Sequence, residues 1–494
     1  MVLLKKIVDQ SSFYLLGNII SIIVGFFFKI YVSNVLGTEA IGLYALGITM
    51  IGVVSIFLTF GFGNGLVRFI SKYNATNSFL NLFYYIINTS FINLCVVVPI
   101  SFSFFFFSKA IAYKILNTPQ IEPFIHLFGI MIFINSFLVI CEQIIRGLQE
   151  VKKSTIINTF LRIPLKIGLT ILFFFMGWGL KGFIIAEFLA AFLALILLII
   201  LIKKTLPLLN RFILKFPLFN KEEKKYSFNL LITNCVYALG SYGDKIILIY
   251  FLSISELGIY SVVLTIATFV PLVLTSVNSI LSPIVSQLHS QNKLKELKYY
   301  FQLSGKFVFK LSFPLIVFIF IFSDSIMSLF GDDFIRGSSL LSLIILGQFI
   351  NISMGSVGLM LQMTGLEKPM RNILIISSLI TFTLYFLFIE KWGLIGLGIV
   401  YIFNIIFQNI ACTYILNKRL SIFLFQKDYV KVLLLFLVLG VFIYLFFNKI
   451  IIVASPFLLI ILLFSIYIIF FFLWMLFFSK KELPLILKTI NFKL

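Results

Sequence analysis

Between residues 11 and 478 the chain is a succession of apolar runs, divided by short breaks that hold its turns and most of its charges. A hydrocarbon core about 30 Å thick takes about 20 residues of helix to cross, so runs of that length can each span a bilayer. Fourteen spans are expected, over residues 11–34, 40–62, 80–107, 121–143, 154–176, 180–202, 227–252, 257–284, 300–323, 337–362, 370–390, 393–416, 430–448 and 452–478. The runs are continuous, not alternating, and backbone in lipid must satisfy its own hydrogen bonds, so helices are expected and a membrane β-barrel is not. With 61% hydrophobic residues against 12% charged ones, a water-soluble globule could not keep its surface wet. The expected class is an all-α, polytopic membrane protein.

The chain also repeats itself. Residues 26–45 align without a gap on residues 242–261 at an offset of 216, pairing Lys29 with Lys245, Leu36 with Leu252, Gly42 with Gly258 and Tyr44 with Tyr260. Gly147-Leu148 returns as Gly365-Leu366, and Trp178-Gly179-Leu180 as Trp392-Gly393-Leu394. Two units of six helices are therefore expected, in an N-terminal lobe (1–204) and a C-terminal lobe (226–420), joined by a connector at 205–225 and followed by two further helices and a tail at 421–494. An even number of spans gives both copies one orientation, so a pseudo-two-fold axis along the membrane normal and a central cavity follow. The connector's mixture of bulky apolar and basic residues suits either a short helix in the interface plane or a solvated linker.

The net charge of +21 is mostly a statement about topology. With the N-terminus placed inside, 27 bases fall in cytoplasmic segments and only Lys109, Lys114, Lys181, Arg336, Lys391 and Lys449 fall opposite, so both termini are expected in the cytoplasm of a cell-membrane protein. That sorting removes the case for nucleic acid. Cys95, Cys141, Cys235 and Cys412 have no disulfide or zinc spacing, His126 and His289 have no partner cluster, and no phosphate-binding loop occurs, so no metal or cofactor is expected. The glycines of Gly61-Phe62-Gly63-Asn64-Gly65 suit close helix packing or a kink.

Charges inside spans carry the functional signal, because each costs at least about 2.5–3.5 kcal/mol near the centre unless it faces protein or water. They are Lys29, Arg162, Lys166, Glu187, Asp244, Lys245, Lys306 and Lys310, six bases against two acids. Arg162 and Lys166 share a helix face, with Pro164 between them able to bend the helix, and the repeat sets Lys29 and Lys245 at equal depth. Lys29, Arg162, Lys166 and Lys245 are thus candidates to bind a multiply charged anion, Arg as a bidentate donor and Lys as a point charge. Structural alternatives stand beside this. Lys306 and Lys310 could snorkel to headgroups, as could Lys29 and Lys245, and Glu187 could pair with Arg162 or Lys166. Asp244, expected to pair locally with a base, and Glu187 are the two candidates for ion coupling. Arg68, and Glu142 with Arg146 at helical ion-pair spacing, belong to the cytoplasmic boundary and could line an inner mouth.

The segments LGTEAIGLYAL, GLVRFISKY, IIRGLQEVKKS, ELGIYSVV and LMLQMTGLEKPM resemble the Wzx-type polysaccharide flippases of the multidrug/oligosaccharidyl-lipid/polysaccharide exporter superfamily. The resemblance covers the first twelve helices and implies a fold shared with multidrug and toxic-compound extruders. It implies a flippase moving a polyprenyl-diphosphate-linked glycan to the outer leaflet by alternating access, with cavity cations serving the diphosphate, and no enzyme activity. Membrane lipid, a glycan polymerase or glycosyltransferases are the implied partners, and a monomer is the default state. A cation-coupled drug extruder of this fold would show embedded carboxylates in place of lysines. A peptidoglycan lipid-precursor flippase shares the fold. A membrane glycosyltransferase or polymerase would need an acidic or large external loop, whereas the first such loop here runs only from Ser33 to Ala40, with Glu39 alone.

Overall fold

A computed structural model gives the fold and describes residues 2–58, 61–206, 218–422, 465 and 468. The middle of the connector, 207–217, and the last two expected spans, 430–448 and 452–478 apart from residues 465 and 468, lie outside the described residues. The described chain is helical throughout: α1 (Val2–Leu58), α2 (Phe62–Ala75), α3 (Phe79–Phe106), α4 (Glu122–Gly147), α5 (Val151–Phe175), α6 (Gly179–Thr205), α7 (Lys221–Phe251), α8 (Ile254–Ala267), α9 (Phe269–Ser290), α10 (Leu294–Ile321), α11 (Ser338–Met354), α12 (Val357–Met363) and α13 (Glu367–Leu420). Among the described residues nine helices are long and apolar enough to cross a membrane, and the two longest spans, of 42 and 54 residues, are turned at Gly37 and Gly393. Each turn divides one helix into two expected spans. The eighth and tenth expected spans are interrupted, α8 giving way to α9 at Thr268 and α11 to α12 at Gly355.

Local chemistry sets these boundaries. α7 starts at Lys221, six residues before the expected span, because Asn220 and Glu223 exchange side-chain and backbone hydrogen bonds at 2.8 Å in a capping box. Gly179 and Gly393, paired by the repeat, both adopt positive φ, at 48° and 55°, where a side chain would be strained. The repeated glycine thus marks a repeated tight turn.

The chain divides into two compact units, Met1–Ser261 and Val262–Leu494. In the first, Leu66, Phe69, Ile134, Leu138, Ala191 and Leu198 form a buried core from α2, α4 and α6. Ala186, Ala190 and Ala194, four apart on α6, are fully covered, and such small residues let helices approach without a hydrophobic drive from the solvent. In the second unit Leu281, Phe301, Met360, Leu361, Cys412 and Leu416 form the corresponding core. Large apolar side chains also point outward, Phe175 at 87% and Phe106 at 77% exposure, as lipid-facing surfaces require.

Both copies of the repeated segment 26–45/242–261 lie in the first unit, and they meet. A Cβ on Gly42 would stand 2.0 Å from the carbonyl oxygen of Ile254, and one on Gly258 would stand 2.0 Å from that of Thr38. Under the offset of 216, Ile254 is the counterpart of Thr38, so the two contacts are one contact read in both directions, as a local two-fold relation requires. Glycine is needed because backbone occupies the space a side chain would take. Gly42→Ala and Gly258→Ala should each lower stability by about 1–3 kcal/mol through overpacking. Gly25→Ala, with nothing within 4 Å of the added carbon, should leave thermal unfolding of the detergent-purified protein unchanged or slightly raised.

Candidate functional site

Three of the buried charges converge within the first unit. Arg162 and Lys166 are one turn apart on α5, and α6 brings Glu187 between them: Arg162 Nη2 donates to Oε1 at 2.9 Å, and Lys166 Nζ pairs with Oε2. α5 does not break at Pro164. The ring withholds a backbone donor, and residues Ile156–Arg162 take up the deficit as a π-helical stretch before the α-helix resumes at Ile163. Arg162 is the last residue of that widened stretch.

α1 supplies the remaining wall. The Tyr44 hydroxyl donates to Glu187 Oε2 at 3.4 Å, and its ring lies 4.6 Å from that of Phe183. The Lys166 ammonium stands 5.0 Å from the Phe183 ring centroid and 5.9 Å from that of Phe28, a cation over aromatic faces. Lys29, next to Phe28, is close enough to Lys166 for the two to repel, and its Nζ reaches Ser261 Oγ at 3.4 Å. Ser261 in turn donates to Gly258 O at 2.8 Å, leaving its oxygen to accept from Lys29. Two bases share one carboxylate here, and a third base stands near Lys166.

Lys245 does not join this group. Its ammonium returns to Ser241 O of its own helix at 3.1 Å and lies 5.3 Å from the Tyr242 ring centroid, so the two repeat-matched lysines have different surroundings. Asp244, expected to pair with a base, instead accepts from the Tyr260 hydroxyl and from the Lys245 amide. Tyr44 and Tyr260 are repeat partners and both donate to buried carboxylates, a role that pattern alone did not suggest; a tyrosine recurring beside embedded charges was the available signal.

The boundary residues lie elsewhere. Arg68 on α2 pairs with Glu222 at 3.3 Å and covers the Tyr226 ring at 4.3 Å, while Lys72 pairs with Glu222 at 2.7 Å. These bases hold the Glu222 carboxyl below the usual carboxylate range. Beside them the Tyr73 hydroxyl donates to Glu223 Oε1 at 2.5 Å and Phe219 stacks on Phe62, so the start of α7 is fixed to α2. Burial and the Glu223 carboxylate push the Tyr73 phenol up. Glu142 accepts from Asn158 at 3.0 Å, and Arg146 is exposed in the last turn of α4. Lys306 and Lys310 are half-buried, four residues apart on α10 of the second unit.

A cavity of about 290 Å³ adjoins α1, α4 and α7, lined among others by Ser55, Gly63, Ser136, Ser241 and Tyr242. Its lining residues carry no charge, and among apolar side chains the hydroxyls of Ser55, Ser136, Ser241 and Tyr242 and the Asn234 amide could hydrogen-bond sugar hydroxyl groups.

Comparison with known proteins agrees with this picture. The family model described as polysaccharide biosynthesis protein matches residues 7–289, and the MatE model matches residues 230–387. An uncharacterized membrane protein of Methanocaldococcus jannaschii is 23% identical over 456 residues, covering 87% of this chain and 88% of its own. Among solved structures, the lipid II flippase MurJ in an inward closed conformation is similar over 94% of this chain and 99% of its own, with TM-score 0.75 and 16% identity. An inward-facing multidrug-resistance MATE family transporter of the MOP superfamily is similar over 81% of this chain and 94% of its own, with TM-score 0.68 and 14% identity. A MOP superfamily transporter from Pyrococcus furiosus, described as having a binding pocket of reverse polarity, is similar over 84% of this chain and 96% of its own, with TM-score 0.60 and 15% identity. These likenesses establish the fold, the one shared by the MurJ and MATE structures.

Because Glu187 serves two bases, its loss should cost more than the loss of either. Glu187→Ala is expected to reduce stability by about 3–5 kcal/mol by leaving buried charge uncompensated. Arg162→Ala and Lys166→Ala should each cost less, since one base stays on the carboxylate, and thermal or denaturant unfolding of the three variants in detergent gives the order.

Proposed function

Starting from a chain that belongs to the polysaccharide biosynthesis protein family, we propose that it is a flippase for a polyprenyl-diphosphate-linked oligosaccharide, moving the headgroup from the cytoplasmic to the outer leaflet. The observation that carries this reading is the surplus of bases in the membrane-embedded site, where Arg162 and Lys166 share the single carboxylate of Glu187 and Lys29, bonded to Ser261, stands near Lys166. A diphosphate cannot cross hydrocarbon unaided, because it would lose its hydration with nothing in return. Arg and Lys donors within the protein replace that hydration, while the lipid tail stays in the bilayer.

The substrate's two parts have matching surroundings: the basic group suits phosphate oxygens, and the uncharged, hydroxyl-lined cavity suits the glycan. Alternating access of two lobes, 1–204 and 226–420, with fourteen spans and cytoplasmic termini, is the mechanism this reading takes from the repeat and the charge asymmetry. Lys245, Lys306 and Lys310 would be later contacts along the path, and Arg68 and Arg146 would belong to its cytoplasmic mouth. No covalent step is involved, so the protein is a carrier and not an enzyme. A drug extruder binding organic cations would need available carboxylates, yet Glu187 is engaged by two bases and Asp244 by Tyr260. A peptidoglycan lipid-precursor flippase is the second reading, favoured by the extent of the likeness to the lipid II flippase.

The test is transbilayer movement of a labelled polyprenyl-diphosphate oligosaccharide in proteoliposomes. Wild type should transport it, and folded Lys29→Ala should be slowed about 10- to 100-fold, the equivalent of one charge-assisted contact of about 1.5–3 kcal/mol. Lys245→Ala should have the smaller effect. Transport of an organic cation and of no diphosphate lipid would overturn the reading.

A further inference from the structure

Glu187 has a position that the anion-binding reading leaves unexplained. Its two oxygens are divided between Arg162 and Lys166, with Tyr44 reaching the second at 3.4 Å. Two anionic oxygens on one atom, met by a guanidinium, an ammonium and a phenol, form the arrangement that a phosphate group would make with the same donors. The exposures are graded: the Arg162 and Lys166 side chains are 23% and 21% exposed, against 10% for Glu187. The bases are therefore more accessible than the carboxylate they share.

We propose that Glu187 is a resident counter-anion that occupies the binding donors in the unliganded protein and yields them to the phosphate of the substrate; this rests on the anion-site reading above. Two adjacent half-buried bases with no anion would carry a desolvation and repulsion cost, and Glu187 offsets part of it. The same carboxylate weakens substrate binding, since the incoming anion must compete for donors already in use. A carrier gains from this, because a site that binds its cargo too tightly cannot let it go on the far side, whereas Glu187 closes on the bases as the phosphate leaves.

The exchange also selects for charge. A singly charged anion replaces one carboxylate by its equal and gains little. A diphosphate brings further charge, which Lys29, held at the edge of the cluster by Ser261, is placed to meet. The site is thus built to prefer multiply charged headgroups.

The probe is inorganic pyrophosphate, with orthophosphate for comparison, titrated into the full-length protein in detergent at fixed ionic strength and read by calorimetry and thermal shift. Wild type should bind pyrophosphate more tightly than orthophosphate. Glu187→Gln should bind pyrophosphate about tenfold tighter or more, equivalent to about 1.4 kcal/mol, and should melt lower than wild type without ligand but gain more on adding it. Glu187→Asp, whose shorter carboxylate reaches the two bases less well, should fall between and serves if the Gln variant does not fold. Glu296→Gln, an equal change in net charge at an exposed position outside the site, should leave affinity within about twofold, since exposed charges are screened at moderate salt. Binding to wild type with no tightening in either Glu187 variant would overturn the counter-anion role and leave the anion site standing. Absence of pyrophosphate binding in wild type and variants alike would overturn the anion site and the counter-anion with it.

Discussion

Hydrocarbon solvates neither a peptide group nor a charge, and this structure answers the two demands separately. The backbone is satisfied by helix throughout the described residues, even where Pro164 withholds a donor, because a π-helical stretch absorbs the loss. The charges are satisfied by each other. Arg162, Lys166 and Glu187 would each be costly alone, and together, within the first unit, the carboxylate offsets part of the charge of the two bases. Placing the bases on α5 and the carboxylate on α6 ties this charged group to the packing of two neighbouring helices, so it cannot be assembled unless they are.

The repeat supplies the second constraint. Gly42 and Gly258 let two copies of one segment approach until backbone meets backbone, in contacts that mirror each other through Thr38 and Ile254. Lys29, Tyr44, Tyr260 and Ser261 all lie within 13 residues of these glycines in sequence, so the close crossing helps to fix the side chains that border the site. A side chain at either glycine would alter packing and site geometry together.

Most of the helical plan was legible, because a run of about 20 apolar residues has few alternatives in lipid. What periodicity could not locate were the interruptions at Thr268 and Gly355 and the early start of α7, which depend on capping and local backbone geometry. The site was half legible. Arg162, Lys166 and Glu187 stand out in the sequence as embedded charges of opposite sign, able to pair with one another. The equivalence of Lys29 and Lys245 misled, since matched sequence positions share a backbone setting but not the side chains around them. Asp244 took a tyrosine in place of a base for the same reason: its partner, Tyr260, comes from the next helix, at a distance only tertiary structure sets.

That divergence between the copies bears on how such a carrier could work. In the register set by Trp178 and Trp392, the counterpart of Glu187 is Tyr401, which accepts from the amide of Gln348 at 2.6 Å. Where one copy holds a carboxylate between two bases, the other holds a neutral hydrogen-bonded pair. A symmetric pair of charged sites would have to desolvate twice the charge and would bind an anion through both halves with equal strength. Holding a carboxylate between two bases in one copy, with a neutral pair at the matching position of the other, avoids desolvating a second such group. For a carrier that must release what it binds, a single well with its own internal anion is the less trapping arrangement.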